Sequence, residues 1–554
     1  IEQGKLWMLQ TRVGKRTGAA ALRMAVDMTT DDRMNLTREE AILRVTGDHL
    51  EGVLHPQFAK TDARVIATGL AASPGAAVGH AYFTADDAAA AAERGERVVL
   101  VRTETSPEDV HGMIASAGIL TSRGGLVSHA AVVARGWGKP AVVGAESIQI
   151  DGRSFIAGGV TVREGESISV DGTTGKVMLG EVPVTLAEPP PEFTTLLTWA
   201  DEIRAGKMAV RANADTGPDA ANARQFGAEG IGLCRTEHMF LGDRLPVVRA
   251  MIMAETDEEE TAALEQLRLA QKADFLEVLE AMDGLPVTVR LLDPPLHEFL
   301  PSTEDLLVKQ AGGTALSPDE QRELKAAQYW HEFNPMLGTR GVRLGVVKPG
   351  LYGMQVRALM EAAAERVTAG GTPVVEIMIP LTVSREELGL ARGWVEEAVA
   401  AATAAHAELS GTDPVDVTIG TMIETPRAAI RADEIAEEAD FFSFGTNDLT
   451  QMTFGFSRDD IEGRIMSLYL EEGLLKRNPF ETIDRGGVGE LVKMGAARGR
   501  ATKPGLKLGV CGEHGGDPES IALFWEAGLD YVSCSPFRIP IARLAAAQAI
   551  LGGA

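Results

Sequence analysis

Past Thr195 the chain alternates between short apolar runs and longer amphipathic stretches. Eight runs read as strands: Met208–Asn213, Gly230–Cys234, Val287–Leu292, Val374–Ile379, Val417–Ile423, Phe441–Phe444, Leu506–Val510 and Tyr531–Cys534. Most are separated by enough helical pattern for a strand–helix unit. Polar residues gather just after the runs: Arg235-Thr-Glu, Asp293-Pro-Pro, Glu424-Thr-Pro, Gly445-Thr-Asn-Asp448 and Cys511-Gly-Glu-His514. Functional groups at the C-terminal ends of successive parallel strands point to a (β/α)8 barrel of the TIM type. A doubly wound open sheet also gives apolar runs, but eight units favour closure. The stretch from Pro294 to Pro373 holds more helix than one crossover needs.

The first part of the chain has a different rhythm. Residues 17–60 are helical by pattern, with a helix over Ala19–Met28 and another from Thr37 to Val45 that opens on a capping box. From Val65 to Gly180, short Val/Ile/Ala-rich strands alternate with glycine turns, a compact α/β unit. The proline-rich segment Leu186–Glu192 marks a domain boundary. Within that unit, Thr121–Gly144 reads strand, glycine turn, helix, strand, with His129 where the helix begins and Gly136 and Gly138 where it ends. A helix start presents free N–H groups and the positive end of the macrodipole, which suits a phosphate. A histidine there can carry a phosphoryl group. A lone histidine at such a place is more often a cap or a core residue, so the surrounding string matters.

Composition narrows the partners. The 554 residues suffice for about three or four domains. Lys and Arg number 53 against 79 Asp and Glu, a formal charge of −26, which argues against a nucleic-acid or anionic-membrane surface. Small anionic substrates remain compatible, because arginines can cluster locally. Three cysteines, Cys234, Cys511 and Cys534, are too few and scattered for a disulfide framework. With no apolar run of about 18 residues and no secretory signal pattern, a reducing, cytoplasmic setting is expected.

The polar residues after the strands suggest chemistry. Arg235 and Arg290 end the second and third runs, and two guanidinium forks suit a phosphate and a carboxylate together. Glu424 and Asp448, from neighbouring strands, can share one Mg²⁺ whose other oxygens come from substrate and water. Gly445, Thr446 and Asn447 offer backbone and amide groups beside it. Cys511 ends the seventh run, where a thiol can protonate a carbanion. Each residue taken singly is as readily a structural ion pair or a buried thiol. Cys234 and Cys534, inside apolar runs, read as core.

The His129 string resembles the phosphohistidine domain of the phosphoenolpyruvate (PEP)-utilising enzymes. Five more strings, Gly232–Phe240, Arg290–Pro301, Asn334–Gly341, Gly445–Gln451 and Cys511–Pro518, are similar to the pyruvate, phosphate dikinases of that family. The likeness runs essentially the whole length. It implies a remnant of a nucleotide-binding domain plus helical linker at 1–66, and a swivelling phosphohistidine β/β/α domain at 67–185. A linker at 186–195 and a PEP/pyruvate-binding barrel at 196–554 would follow. Gln10 and Arg12, in what looks like a last strand, fall on ATP-grasp nucleotide-site positions. The chain, which opens on Ile1, is therefore expected to be the C-terminal part of a longer protein.

By the same resemblance His129 carries the phosphoryl group, Arg235 and Arg290 hold substrate oxygens, and Cys511 protonates the enolate. Glu424 and Asp448 bind Mg²⁺, Gly445, Thr446 and Asn447 line the substrate site, and Arg340 and Arg458 are further charges. Pyruvate and PEP are the implied substrates. ATP, AMP, phosphate and diphosphate would be handled by the ATP-grasp domain, and a homodimer through the barrel is expected. Plant dikinases place a regulatory threonine where this chain has Val127, so that switch cannot operate here. Transfer of the enzyme I or PEP synthase kind, and a catalytically idle binding protein, are the alternative readings. The remnant at 1–12 speaks against enzyme I, which has no ATP-grasp domain.

Overall fold

The computed structural model describes residues 5–552, except 6, 9, 11–13, 15, 55, 60–62, 107–108, 126–127, 137, 186–188, 314 and 407–414. It divides into two compact units, one of residues 1–202 with 459–478 and one of 203–458 with 479–554.

The first unit opens with helices Gly18–Asp27, Arg38–Ile42 and Gly47–Leu54. The second of these starts on the expected capping box between Thr37 and Glu40, though it is shorter than the sequence pattern. Of the expected strand near the start, Lys5 makes an isolated bridge, and Trp7, Met8 and Gln10 are exposed and irregular. Arg12 lies outside the described residues.

An eight-stranded sheet forms the body of this unit. Its centre is parallel: Ala76–Tyr82, Val98–Arg102, Gly118–Thr121 and Ala141–Val143 lie side by side. Helices Ala85–Glu93, Val110–Ala115 and His129–Gly136 connect these strands in turn. The flanking strands pair antiparallel, and a three-stranded sheet spans Gln149–Arg163. Val98–Val101 is wholly buried, as expected for a strand covered on both faces.

The second unit is a closed barrel of eight strands in sequence order. They are β1 (Ala209–Asn213), β2 (Ile231–Arg235), β3 (Pro286–Arg290), β4 (Val374–Ile379), β5 (Asp416–Ile423), β6 (Phe441–Phe444), β7 (Lys507–Val510) and β8 (Tyr531–Cys534). All neighbours are parallel and β1 closes against β8. The eight apolar runs of the sequence are these strands to within two residues. Side chains fill the interior. The Tyr531 ring packs so tightly on β7 that a Cβ at Gly509 would lie 2.0 Å from it. The long β3–β4 excursion holds helices Thr303–Ala311, Pro318–Trp330 and Val342–Val347 before the crossover helix Pro349–Thr368, whose buried face packs on helix Asp257–Ala281. No described helix is long and apolar enough to cross a membrane.

Candidate active site

In the first unit, helix His129–Gly136 begins on the expected histidine. The His129 Nδ1 lies 2.9 Å from Thr105 Oγ1, while Nε2 is shielded from solvent and has no partner among the described residues. The Ser128 hydroxyl is also unpartnered. Burial pushes the imidazole below its usual range, only partly offset by the charge of Asp109, so the ring is neutral near pH 7. Hydrogen bonding at Nδ1 leaves Nε2 as the nitrogen for new chemistry. Val127 lies outside the described residues.

In the second unit, the residues after β2, β3, β5, β6 and β7 converge at one rim. Arg290 ends β3; it pairs with Glu237 and with Asp293, the latter at 3.1 Å, and is 7% exposed. The excursion returns to the rim at Arg340, which bridges two carboxylates: Nη2 donates to Asp293 at 2.5 Å and to Asp448 at 3.1 Å. Burial opposes the Asp293 charge, but Arg290 and Arg340 outweigh it and hold the carboxyl below its usual range. Arg235 ends β2; its N–H donates to Asp215 Oδ1 at 2.6 Å, and its guanidinium lies 3.4 Å from Oδ2.

Glu424, one residue past β5, has no exposed surface. Oε1 accepts a hydrogen bond from the Leu381 N–H at 2.6 Å, and Oε2 has no partner. Burial, then the charges of Asp448 and Asp293, push this carboxyl well above its usual range. Asp448 sits in the first turn of helix Thr446–Phe454. At Gly445, a Cβ would stand 2.6 Å from Glu424 Oε2, so only glycine leaves that oxygen clear.

The loops after β6 and β7 are tied together. Asn447 Oδ1 accepts from the Glu513 N–H at 3.0 Å. His514 Nε2 lies 2.8 Å from the Pro479 carbonyl, which can only accept, so Nε2 carries the proton and Nδ1 accepts from the Thr446 hydroxyl at 2.8 Å. Arg458 makes a two-pronged pair with Glu513 at 2.7 and 2.9 Å. Cys511 is 1% exposed, its Sγ 3.8 Å from the Phe444 carbonyl. Burial pushes the thiol up to about 11, with the Ser443 hydroxyl opposing, so it is a protonated acid at neutral pH.

The expected barrel residues therefore come to one rim, while His129 belongs to the other unit. Cys234 and Cys534 are buried, as read from their apolar runs. Sequence reasoning passed over Asp215, Glu237, Asp293, Glu513 and His514 as site residues. Asp215 stands two residues past the end of β1, among the polar residues after a strand, so the rule that picked the other rim residues points to it too.

Three guanidiniums (Arg235, Arg290, Arg340) face five carboxyls (Asp215, Glu237, Asp293, Glu424, Asp448). Among the described residues no cluster of three or more His, Cys, Asp or Glu side chains is set to hold a metal alone. A surplus of buried carboxylate with unpartnered oxygens on Glu237 and Glu424 fits a hard divalent cation that completes its shell with water and substrate.

Residues 191–551 match the family model described as the PEP-binding domain of PEP-utilising enzymes, and 94–175 match that family's mobile domain. This chain belongs to the PEP-utilising enzymes. Pyruvate, phosphate dikinase of Rhizobium meliloti is 53% identical over 560 residues, covering 100% of this chain and 61% of its own length. Chloroplastic pyruvate, phosphate dikinase 1 of Arabidopsis thaliana is 52% identical over 559 residues, covering 100% of this chain and 57% of its own. The chain thus spans about three fifths of the length of these relatives, with the PEP-binding barrel lying wholly within the matched region.

Proposed function

We propose that this chain catalyses the PEP/pyruvate half of a dikinase reaction. The observation that carries this reading is the barrel rim. Three arginines, the unpartnered Glu424 oxygen and the protonated Cys511 thiol lie together at or just past the C-terminal ends of β2, β3, β5 and β7, with Arg340 returning from the β3–β4 excursion. Arg235 and Arg290 bind the phosphoryl and carboxylate oxygens and fix the substrate's orientation. Glu424 and Asp448 would hold a Mg²⁺, which when bound supplies positive charge beside an enolate oxygen.

The His129 Nε2 lone pair forms a bond to the phosphorus of PEP. The bond from phosphorus to the enol oxygen breaks, and that oxygen keeps the electron pair. Cys511 then gives its Sγ proton to the methylene carbon, which becomes the methyl group of pyruvate. The resulting thiolate regains a proton from solvent, and the sequence reverses to make PEP. Charge neutralisation and positioning suffice for such a transfer, since little covalent work falls to the protein. In the longer dikinases, formation of AMP and diphosphate from ATP and phosphate would reload the histidine through a segment outside this chain.

Incubation with PEP labelled in its phosphoryl group, plus Mg²⁺, should yield an acid-labile, base-stable phosphoprotein labelled at His129. The His129→Ala protein should take up no label. Undiminished labelling in that variant would remove His129 from the scheme.

A further inference from the structure

His238 has no part in the scheme above, yet it touches the residue that anchors Arg235. It lies in the turn Thr236–Phe240, and its side chain is 51% exposed. Nδ1 lies 2.8 Å from Asp215 Oδ2. The same oxygen is 3.4 Å from Arg235 Nη1, while Oδ1 takes the Arg235 N–H at 2.6 Å. Asp215 thus fixes the Arg235 backbone with one oxygen and divides the other between an imidazole and a substrate-binding guanidinium. The histidine holds the shorter bond.

We infer that His238 is a positioning residue for Arg235: as an imidazolium it occupies the shared oxygen of Asp215 and leaves the guanidinium free to turn to the substrate's phosphoryl group. When the ring loses its charge, Asp215 is less compensated and draws Arg235 to itself. The inference rests on the proposed PEP chemistry of this rim.

The surroundings favour the charged ring. From its own turn and from β2, His238 faces Glu237 and Arg235. It also lines a cavity of about 340 Å³ whose walls bring Asp243 and Arg244 from the following turn, and Asp274 and Glu277 from helix Asp257–Ala281. Arg244 is paired with Asp274, which leaves the acids in excess. The hydrogen bond that the ring donates to Asp215, against the cost of partial burial, holds the imidazole above its ordinary range. Its charge is therefore present at mildly acidic pH and lost as pH rises through that raised value. A structural cap in this place would need only a hydrogen-bond donor, whereas this role needs the charge.

The test compares wild type, His238→Gln and His238→Arg by calorimetric titration with PEP in Mg²⁺ from pH 6 to 8.5. Each variant is divided by wild type at the same pH, which cancels ionisation of the ligand. His238→Gln should bind about two- to fivefold more weakly at pH 6, the range for one partly exposed charge, with the ratio closing towards one at pH 8.5. His238→Arg should match wild type at pH 6 and bind more tightly than it at pH 8.5. A ratio that stays constant with pH, or an arginine variant that behaves like the glutamine one, would overturn the inference and leave the PEP site standing. Failure of wild type to bind PEP at any pH would overturn the inference together with the function proposed for the rim.

Discussion

Glu376, on β4, and Glu424, just past β5, are both buried in the same barrel, at 2% and 0% exposure. Their carboxyls are driven in opposite directions. Arg211 Nη1 and the Thr288 hydroxyl donate to Glu376 Oε2 at 2.7 and 2.6 Å, and Lys507 pairs with Oε1. Burial pushes that carboxyl up, but Arg211 and Lys507 outweigh it and bring it to about 2. Glu424 has one backbone donor, an unpartnered oxygen and two acidic neighbours, and is pushed up. The floor of the barrel has closed its charges around Glu376. The rim keeps Glu424 open for something that arrives. A buried acid whose electrostatics are left unresolved marks a functional place, and a satisfied one marks structure.

The sharpest way to break this contrast is to neutralise the rim glutamate. Glu424→Gln keeps an oxygen for the Leu381 N–H but removes the carboxylate proposed to anchor Mg²⁺. The single-turnover rate at which PEP phosphorylates His129 and releases pyruvate should fall by about 10³-fold or more, as befits several kcal/mol of lost charge stabilisation. The melting temperature should hold or rise, because an uncompensated buried charge has gone. A variant that stays active, or that melts much earlier than wild type, would place Glu424 with the structural residues.

Next in size is Cys511, which sharpens the division of labour within the rim. Cys511→Ala removes the proposed proton donor but no guanidinium or carboxylate. Exchange of deuterium into the pyruvate methyl group should fall by about 10²–10⁴-fold, the scale of one positioned acid or base. Binding of oxalate, an enolate mimic, should change little. With the thiol pushed up to about 11, the thiolate that takes the methyl proton is a small fraction at neutral pH, and exchange should rise from pH 7 to pH 8 as that fraction does. Exchange at the wild-type rate in the alanine variant would make the thiol a bystander.

The same two regions differ in how far sequence revealed them. Strands buried on both faces give largely apolar runs, which is why all eight were legible and why the polar residues after them marked the rim. Arg340 could be named only by resemblance. It returns from the long excursion, and its bridge from Asp293 to Asp448 joins positions 47 and 108 residues away. The floor was missed altogether. Arg211 and Lys507 lie 165 and 131 residues from Glu376, and within their own strands each is one charge interrupting an apolar run. Such an interruption was the available signal, since a charge inside a barrel strand needs a partner across the interior. His129 was visible because its pattern is local: glycine turn, histidine, apolar helix.

The smallest expected effect on catalysis belongs to that floor, and it completes the contrast. Glu376→Gln leaves Arg211 and Lys507 buried beside a neutral amide, with like charges and no anion between them. Breaking a buried pair from one side costs about 3–5 kcal/mol, so the barrel should unfold at markedly lower denaturant concentration. Folded protein should still phosphorylate His129 from PEP at a single-turnover rate within about twofold of wild type, because ΔG‡ at the rim depends on groups this change does not touch. The pH dependence carries the same signature. Glu376 titrates at about 2 when folded and near the ordinary glutamate value of 4.5 when unfolded. Its stabilisation is therefore fully present above about 4.5 and is lost as pH falls towards 2. Wild type should lose stability steeply across that window, and Glu376→Gln should lose less, the two curves converging at the acid end. If they ran parallel, the floor network would not be what holds this carboxylate ionised, and the opposition between the two glutamates would not rest on their partners.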